Sequence, residues 1–348
     1  MAAGEELQPW AYEVDATPGT GELDLEITHC GVCHSDVHQI DDAWGVACWP
    51  LVPGHEIVGR VVAVGAGVSD FRVDDRAAIG VQRGCCGACA CCAGGLENVC
   101  PKILKTYAGP GKDKGGFARI IRYPSSWVFK CPEALKPEYA APLMCAGITV
   151  FSPLKRFVLA SPGGSVGKKV GIVGIGGLGH LAVQFAAKMG AHVVAISRSD
   201  AKADEARGFG AAQFLVSSDA AAMAEARGTF DVLLNTVSGN AGIDEYLALL
   251  KPRGAMACVG LPEKTEKSRL FLHSLVLQEK SLCGSYLGPK ADYAEMLEFA
   301  CRHSVAPQVE LYRLDQVNLA IRRIRENQAR YRCVLVLDEA VAELAARM

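Results

Sequence analysis

The first twenty residues lack both a basic start and an apolar core: Met1 to Thr20 carries Glu5, Glu6, Glu13 and Asp15. That pattern excludes a secretory signal. The chain also lacks a run of about 18 uninterrupted apolar residues, so no helix is expected to span a bilayer. Charge of one sign is scarce as well. The 36 Lys and Arg stand against 38 Asp and Glu, a formal net charge of −2, and nothing in that balance suggests nucleic acid as a partner. Internal repeats and low-complexity linkers are missing too. Cysteine, by contrast, is plentiful. Fifteen in 348 residues would suggest disulfides in a secreted protein. Without a signal they read as reduced thiols, several of them metal ligands, in a cytoplasmic protein. Half of the residues are apolar and 21% are charged, the profile of a well-buried globular chain long enough for two domains.

The first part, residues 1–150, reads as an irregular β-rich domain. Short apolar runs over residues 23–28, 57–64 and 76–81 are separated by Gly and Asp turns, and no long helical period precedes Pro137. From Val170 the pattern changes. Strands are expected at 170–174, 193–197, 231–237, 255–260 and 281–286, with helical spacing over 178–189 and a further helix around 204–208. Strand and helix alternating through short loops argue for a parallel, doubly wound sheet over residues 151–289. A helix over 293–302 and a last strand over 333–337 belong to a return segment, 290–348, which rejoins the first domain. The fold class is therefore α/β, a β-rich domain with a nucleotide-binding domain inserted into it.

Gly174-Ile-Gly176-Gly177-Leu178-Gly179 fits G-x-G-x-x-G between an apolar strand and a helix. Glycine permits the tight turn and lets backbone approach a pyrophosphate, and the helix offers unpaired N–H groups to its charge. The next strand ends without the acidic residue that would hold a ribose diol. It reads Ser197-Arg198-Ser199, with Lys202 shortly after, and hydroxyls plus two cations suit the 2′-phosphate of NADP(H). Asp200 nearby weakens that electrostatic case. Residues 163–168 superficially imitate a P-loop, but the spacing is short, Lys169 replaces the hydroxyl residue, and the segment precedes its strand. They read as a surface turn.

Cys86-x2-Cys89-x2-Cys92-x7-Cys100 has the spacing of a closed structural zinc site. Cys85 and Cys91 could shift the register by one, although 86, 89, 92 and 100 keep the regular interval. Thiolate tetrads also ligate iron, but structural zinc is the better reading. A catalytic zinc needs about three protein ligands and one open position, and Cys33, His55 and Cys145 supply two thiolates and an imidazole. Each alone is an ordinary buried residue; the case comes from their combination with a dinucleotide site. His55-Glu56 also opens like a zinc-protease helix, but Gly59 stands where H-E-x-x-H requires its second histidine.

Taken in order, G-V-C-H-S-D-V-H, V-P-G-H-E-I-V-G, the four-cysteine lobe, A-P-L-M-C-A-G-I-T-V, G-I-G-G-L-G-H and the C-terminal R-Y-R-C-V resemble the zinc-containing medium-chain dehydrogenases. The match is closest to their cinnamyl alcohol dehydrogenase and aldehyde reductase group. The resemblance implies a GroES-like catalytic domain and a Rossmann cofactor domain with one cleft between them. It further implies two zinc ions per chain and hydride transfer between NADP(H) and a primary alcohol or aldehyde, cinnamyl-type or broad-range. It would make Glu56 an exchangeable ligand of the catalytic zinc and Asp36 the group that orients a zinc-bound imidazole. Ser35 would bond the substrate oxygen, and His38 would pass its proton to solvent. A homodimer through edge strands of the cofactor domains follows by the same analogy, with a tetramer as the alternative. Trp44 and Trp49 are candidates for the substrate entrance. The sequence departs from the family where Asp113-Lys114-Gly115-Gly116 replaces T-x-G-G, where Trp49 replaces a common tyrosine, and where Arg198 replaces a common serine. Two rival readings fit less well. A zinc-free quinone or enoyl reductase would lack Cys33, His55 and Cys145, and a non-catalytic NADPH-binding redox sensor gives no reason for Ser35 and His38.

Overall fold

Residues 22–32 set the frame of the N-terminal half. In β1 (Glu22–Val32) Leu23, Leu25 and Ile27 alternate with half-buried polar neighbours, and from His29 to Val32 every residue is buried. The change from one covered face to two marks where the helix Pro137–Pro142 lies across β1 and β2 (Glu56–Val64). β3 (Arg76–Ile79) extends the sheet from β2. A small ladder of β4 (Gln82–Gly84) and β5 (Leu104–Lys105) stands at the base of the cysteine lobe. β6 (Ile120–Pro124) pairs with the start of β1, and β7 (Val128–Lys130) closes the far edge on β3.

The second half is a six-stranded, all-parallel sheet. Its strands are β8 (Lys169–Val173), β9 (His192–Ser197), β10 (Gln213–Val216), β11 (Phe230–Asn235), β12 (Leu250–Cys258) and β13 (Ser281–Gly284), in the order β10-β9-β8-β11-β12-β13. The order reverses beside β8, which places the loop after β8 at the topological switch point where α/β sheets bind ligands. The chain then returns to the first sheet. β14 (Val309–Arg313) and β15 (Arg332–Val336) complete a seven-stranded sheet whose main path runs β14-β15-β1-β2-β3-β7.

This computed structural model describes residues 3–107, 114–160, 164–239, 242–262, 267 and 270–337. The chain forms two compact units. One comprises Met1–Cys145, Pro289–Arg302 and Ala306–Met348, the other Ala146–Gly288 and His303–Val305. The α/β class and the parallel sheet are as the alternation of segments predicts. Strands β6, β7, β10 and β14 have no counterpart among the expected elements, and the segment after Cys33 is a short helix, His34–Ile40, which the absence of a long helical period before Pro137 leaves room for but does not mark. One helical segment, Pro137–Leu159, is long and apolar enough to cross a membrane, but 67% of its apolar window is buried inside the protein, as in a core helix.

Candidate active site

Cys33 begins the helix that carries the chemistry. Its backbone is extended, and its Sγ accepts from the N–H of Ser35 at 3.5 Å. Asp36, three residues on, accepts from the N–H of Cys33 through Oδ2 at 2.9 Å, a reciprocal capping arrangement that satisfies helix-start donors. The other oxygen of Asp36 accepts from Gly54 N at 3.0 Å and from His55 Nδ1 at 3.1 Å. A fully buried carboxylate accepting from these three donors is held rigidly in place. It keeps the proton of His55 on Nδ1 and leaves the Nε2 lone pair pointing elsewhere.

That nitrogen is buried and has no hydrogen-bond partner, and the same is true of Glu56 Oε2. The ligand atoms of Cys33, His55, Glu56 and Cys145 all lie within 4.8 Å of one another. Cys33 Sγ and Cys145 Sγ are 4.0 Å apart, close to the edge of about 3.8 Å that zinc–sulfur bonds of about 2.3 Å give a tetrahedron. Two thiols, an imidazole nitrogen and a carboxylate oxygen, two of them without a protein partner, fit a zinc ion. The hydrogen bond from Cys145 drives the Cys33 thiol well below its ordinary pKa, and the same contact with burial drives Cys145 up.

Arg332 was not assigned a role from the sequence. From β15 it reaches across β1 to pair with Glu56 on β2, both side chains buried. Gly31 on β1 makes this geometry available, since a Cβ there would overlap the Glu56 carboxylate. Burial pushes Glu56 up to about 7, and the Arg332 guanidinium restrains that rise. Tyr107, also unassigned from the sequence, stacks on His55 with centroids 5.7 Å apart.

The lobe brings Cys86, Cys89, Cys92 and Cys100 together, their sulfurs within 4.8 Å of one another and contact distances between 3.6 and 3.9 Å. Cys85 instead packs against the core of the seven-stranded sheet, and Cys91 is outside the cluster. Backbone N–H groups of Ala88 and Cys89 hold the Cys86 thiol down at about 6, so a thiolate forms readily.

In the other unit, Gly174 leaves β8 with φ +86°, and Gly176, Gly177 and Leu178 lead into the helix Gly179–Lys188. A Cβ on Gly179 would overlap the carbonyl of Gly174, whereas one on Gly176 would meet nothing, so that face of the turn is open. Thr236 Oγ1, not foreseen from the sequence, braces the turn by donating toward the Val173 and Gly174 carbonyls, both at 2.9 Å. Ser197 ends β9, and Arg198 and Ser199 are exposed beyond it. Lys202 does not stand apart as a cation. Its Nζ donates to the carbonyl of Ile175 at 2.6 Å and so ties the glycine turn. His38 lies with its ring centroid 4.9 Å from that of Trp44, and Trp49 is 37% exposed. Residues 164–168 form a turn ahead of β8, exposed at Val166 and Gly167; Gly163 and Asp113 are outside the described residues.

Two family models match. "Alcohol dehydrogenase GroES-like domain" covers residues 19–133 and "Zinc-binding dehydrogenase" residues 177–302. A probable cinnamyl alcohol dehydrogenase 3 of Oryza sativa subsp. japonica is 42% identical over 98% of this chain and 92% of its own. The chain belongs to the zinc-binding alcohol dehydrogenases. A mannitol dehydrogenase of Petroselinum crispum is 41% identical over 94% of this chain and 97% of the relative. Among solved structures, a CAD from Helicobacter pylori complexed with NADP(H) superposes with a TM-score of 0.87 at 29% identity, covering 96% of this chain and 95% of that one. This alcohol dehydrogenase is thus zinc-dependent and of the GroES-like plus Rossmann architecture.

Proposed function

We propose that this alcohol dehydrogenase interconverts primary alcohols and aldehydes, cinnamyl-type or broad-range, with NADP(H) as its hydride carrier. The observation that carries the reading is the buried constellation of Cys33, His55, Glu56 and Cys145, with His55 Nε2 and Glu56 Oε2 lacking protein partners. Cys33, His55 and Cys145 would hold the catalytic zinc, with Glu56 in reserve and Asp36 fixing the imidazole. Cys86, Cys89, Cys92 and Cys100 would hold the structural one. When bound, zinc polarises the substrate oxygen as a Lewis acid and the nicotinamide exchanges hydride with the carbonyl carbon. Ser35 bonds the substrate oxygen and carries its proton, and His38, half-buried, exchanges that proton with solvent. Trp44 and Trp49 offer aromatic surface for the organic part of the substrate.

The choice of NADP(H) rests on Ser197, Arg198, Ser199 and Lys202, where β9 ends on a serine and not on the carboxylate that would hold a ribose diol, against the opposing charge of the exposed Asp200 nearby, and on the NADP(H) bound by the Helicobacter pylori relative. Arg198 is the exposed cation there; Lys202 contributes by holding the turn through Ile175. We place the enzyme in the cytoplasm, where its fifteen cysteines, none in a disulfide, stay reduced. It forms a homodimer through β13, one of the two edges of the parallel sheet and the one flanked by exposed Phe271, Leu272, Val276 and Leu277.

The test is loss of NADPH or NADH absorbance with a panel of aldehydes that includes cinnamaldehyde and a short aliphatic one. Rapid oxidation of NADPH and little of NADH is expected. Preference for NADH would remove the cofactor assignment and keep the reaction; no turnover in zinc-loaded protein would remove both.

A further inference from the structure

The helix His34–Ile40 carries two imidazoles one turn apart. His34 and His38, at i and i+4, share a face. Their ring centroids are 4.9 Å apart with planes inclined by 47°. The separation has a chemical meaning. Two imidazoles bound to one transition-metal ion through nitrogens at about 2.1 Å, each ring centre about 1.2 Å behind its nitrogen, stand about 4.6–5.3 Å apart for bond angles between roughly 90° and 109°. The observed pair falls inside that window with no change of backbone. His34 is exposed and His38 half-buried, so an ion can arrive from solvent. Among the described residues neither ring has a hydrogen-bond partner, which leaves their nitrogens available. Trp44 lies against His38, centroids 4.9 Å apart and planes inclined by 31°, limiting where that ring can turn. Asp41, at the end of the same helix, is engaged with Arg325 at 2.6 Å and adds negative field rather than a ligand.

We propose that His34 and His38 form a third metal site, outside the two cysteine-containing clusters, for a borderline divalent ion such as Zn2+, Ni2+ or Cu2+. Water fills the remaining positions, so the site is weaker than either cluster and fills only when the ion is in excess. Occupancy takes His38 out of proton exchange and inhibits the enzyme. This consequence rests on the role given to His38 above; the binding itself does not.

The experiment uses zinc-loaded enzyme dialysed against Ni2+ at pH 8, where imidazole is neutral, with bound nickel and zinc both counted. A single nickel per chain with zinc unchanged is expected. In His34→Gln the affinity falls about tenfold or more, because the second imidazole acts through a high local concentration. The double variant His192→Gln/His273→Gln, at two other exposed histidines, binds as the parent does. Undiminished nickel binding in His34→Gln, or nickel entering only as zinc leaves, would overturn the site. Nickel inhibition of NADPH oxidation that His34→Gln relieves supports the inhibitory role. Full turnover with nickel bound overturns that role while the site stands.

Discussion

At the scale of single residues, the site depends on buried charges that have been given partners. Glu56 and Arg332 are both buried, and such a pair is worth most when one half is taken away. Arg332→Ala is expected to lower stability by about 3–5 kcal/mol in urea unfolding, because the carboxylate is left buried without its cation. Adding Glu56→Gln to that variant should recover a large part of the loss. His29 shows the opposite device, a buried imidazole kept neutral. Burial, helped by the field of Arg76, lowers its pKa to about 4, against about 6.5 in the unfolded chain. The unfolded state therefore binds the extra proton first as pH falls. Stability is unaffected above about pH 6.5 and declines toward pH 4, by about 3 kcal/mol in all. His29→Gln should flatten that part of the stability–pH curve; an unchanged curve would show that other groups set it.

At the scale of elements, short pieces of chain with little regular structure of their own are held by what they ligate or cap. The cysteine lobe between β4 and β5 has one short α-helix, Ala90–Ala93, with no buried residue in it, and a 3-10 turn, Glu97–Val99; Asn98 and the ligand Cys100 are its buried residues, so apolar burial does little to hold it. Four thiolates on one ion would supply that order instead. Cys89→Ser is expected to reduce zinc from two ions per chain to one and to expose the lobe to limited proteolysis, with the catalytic cluster retained. Equal zinc content in the variant would put the ligand set elsewhere, with Cys85 and Cys91 the nearest spare thiols. The helix His34–Ile40 depends in the same way on its first residue, since Cys33 caps it while presenting a thiol to the catalytic cluster.

At the scale of the whole molecule, the proposed homodimer rests on the β13 edge and on the apolar helix Leu272–Leu277 that precedes it. Val276 is 73% exposed and Leu277 70%, apolar helix surface left in water next to an open sheet edge. Light scattering should give about twice the chain mass of 36.9 kDa. Val276→Glu with Leu277→Glu should reduce it to a monomer that keeps its zinc. A parent protein that is already monomeric would remove this interface.

Sequence alone determined what depends on local order. The glycine turn between strand and helix, the alternation that makes a parallel sheet and the spacing of the four lobe cysteines are all short-range patterns, and the fold class could be read from them. The gathering of Cys33, His55 and Cys145 was also foreseeable, but from the company of motifs rather than from any distance along the chain. Only the tertiary structure decided the rest. Arg332 lies 276 positions from Glu56 and meets it because β15 and β2 flank β1 at Gly31. Lys202, read from the sequence as a cation near a phosphate, also donates to the Ile175 carbonyl and so ties the glycine turn, a contact that no local pattern announces. The helix after Cys33 escaped notice because seven residues are too few to show a period, and its start is marked by a thiol in place of the usual hydroxyl or carboxylate cap. A side chain's partner across a sheet is set by strand order and register, and neither is written in the residues next to it.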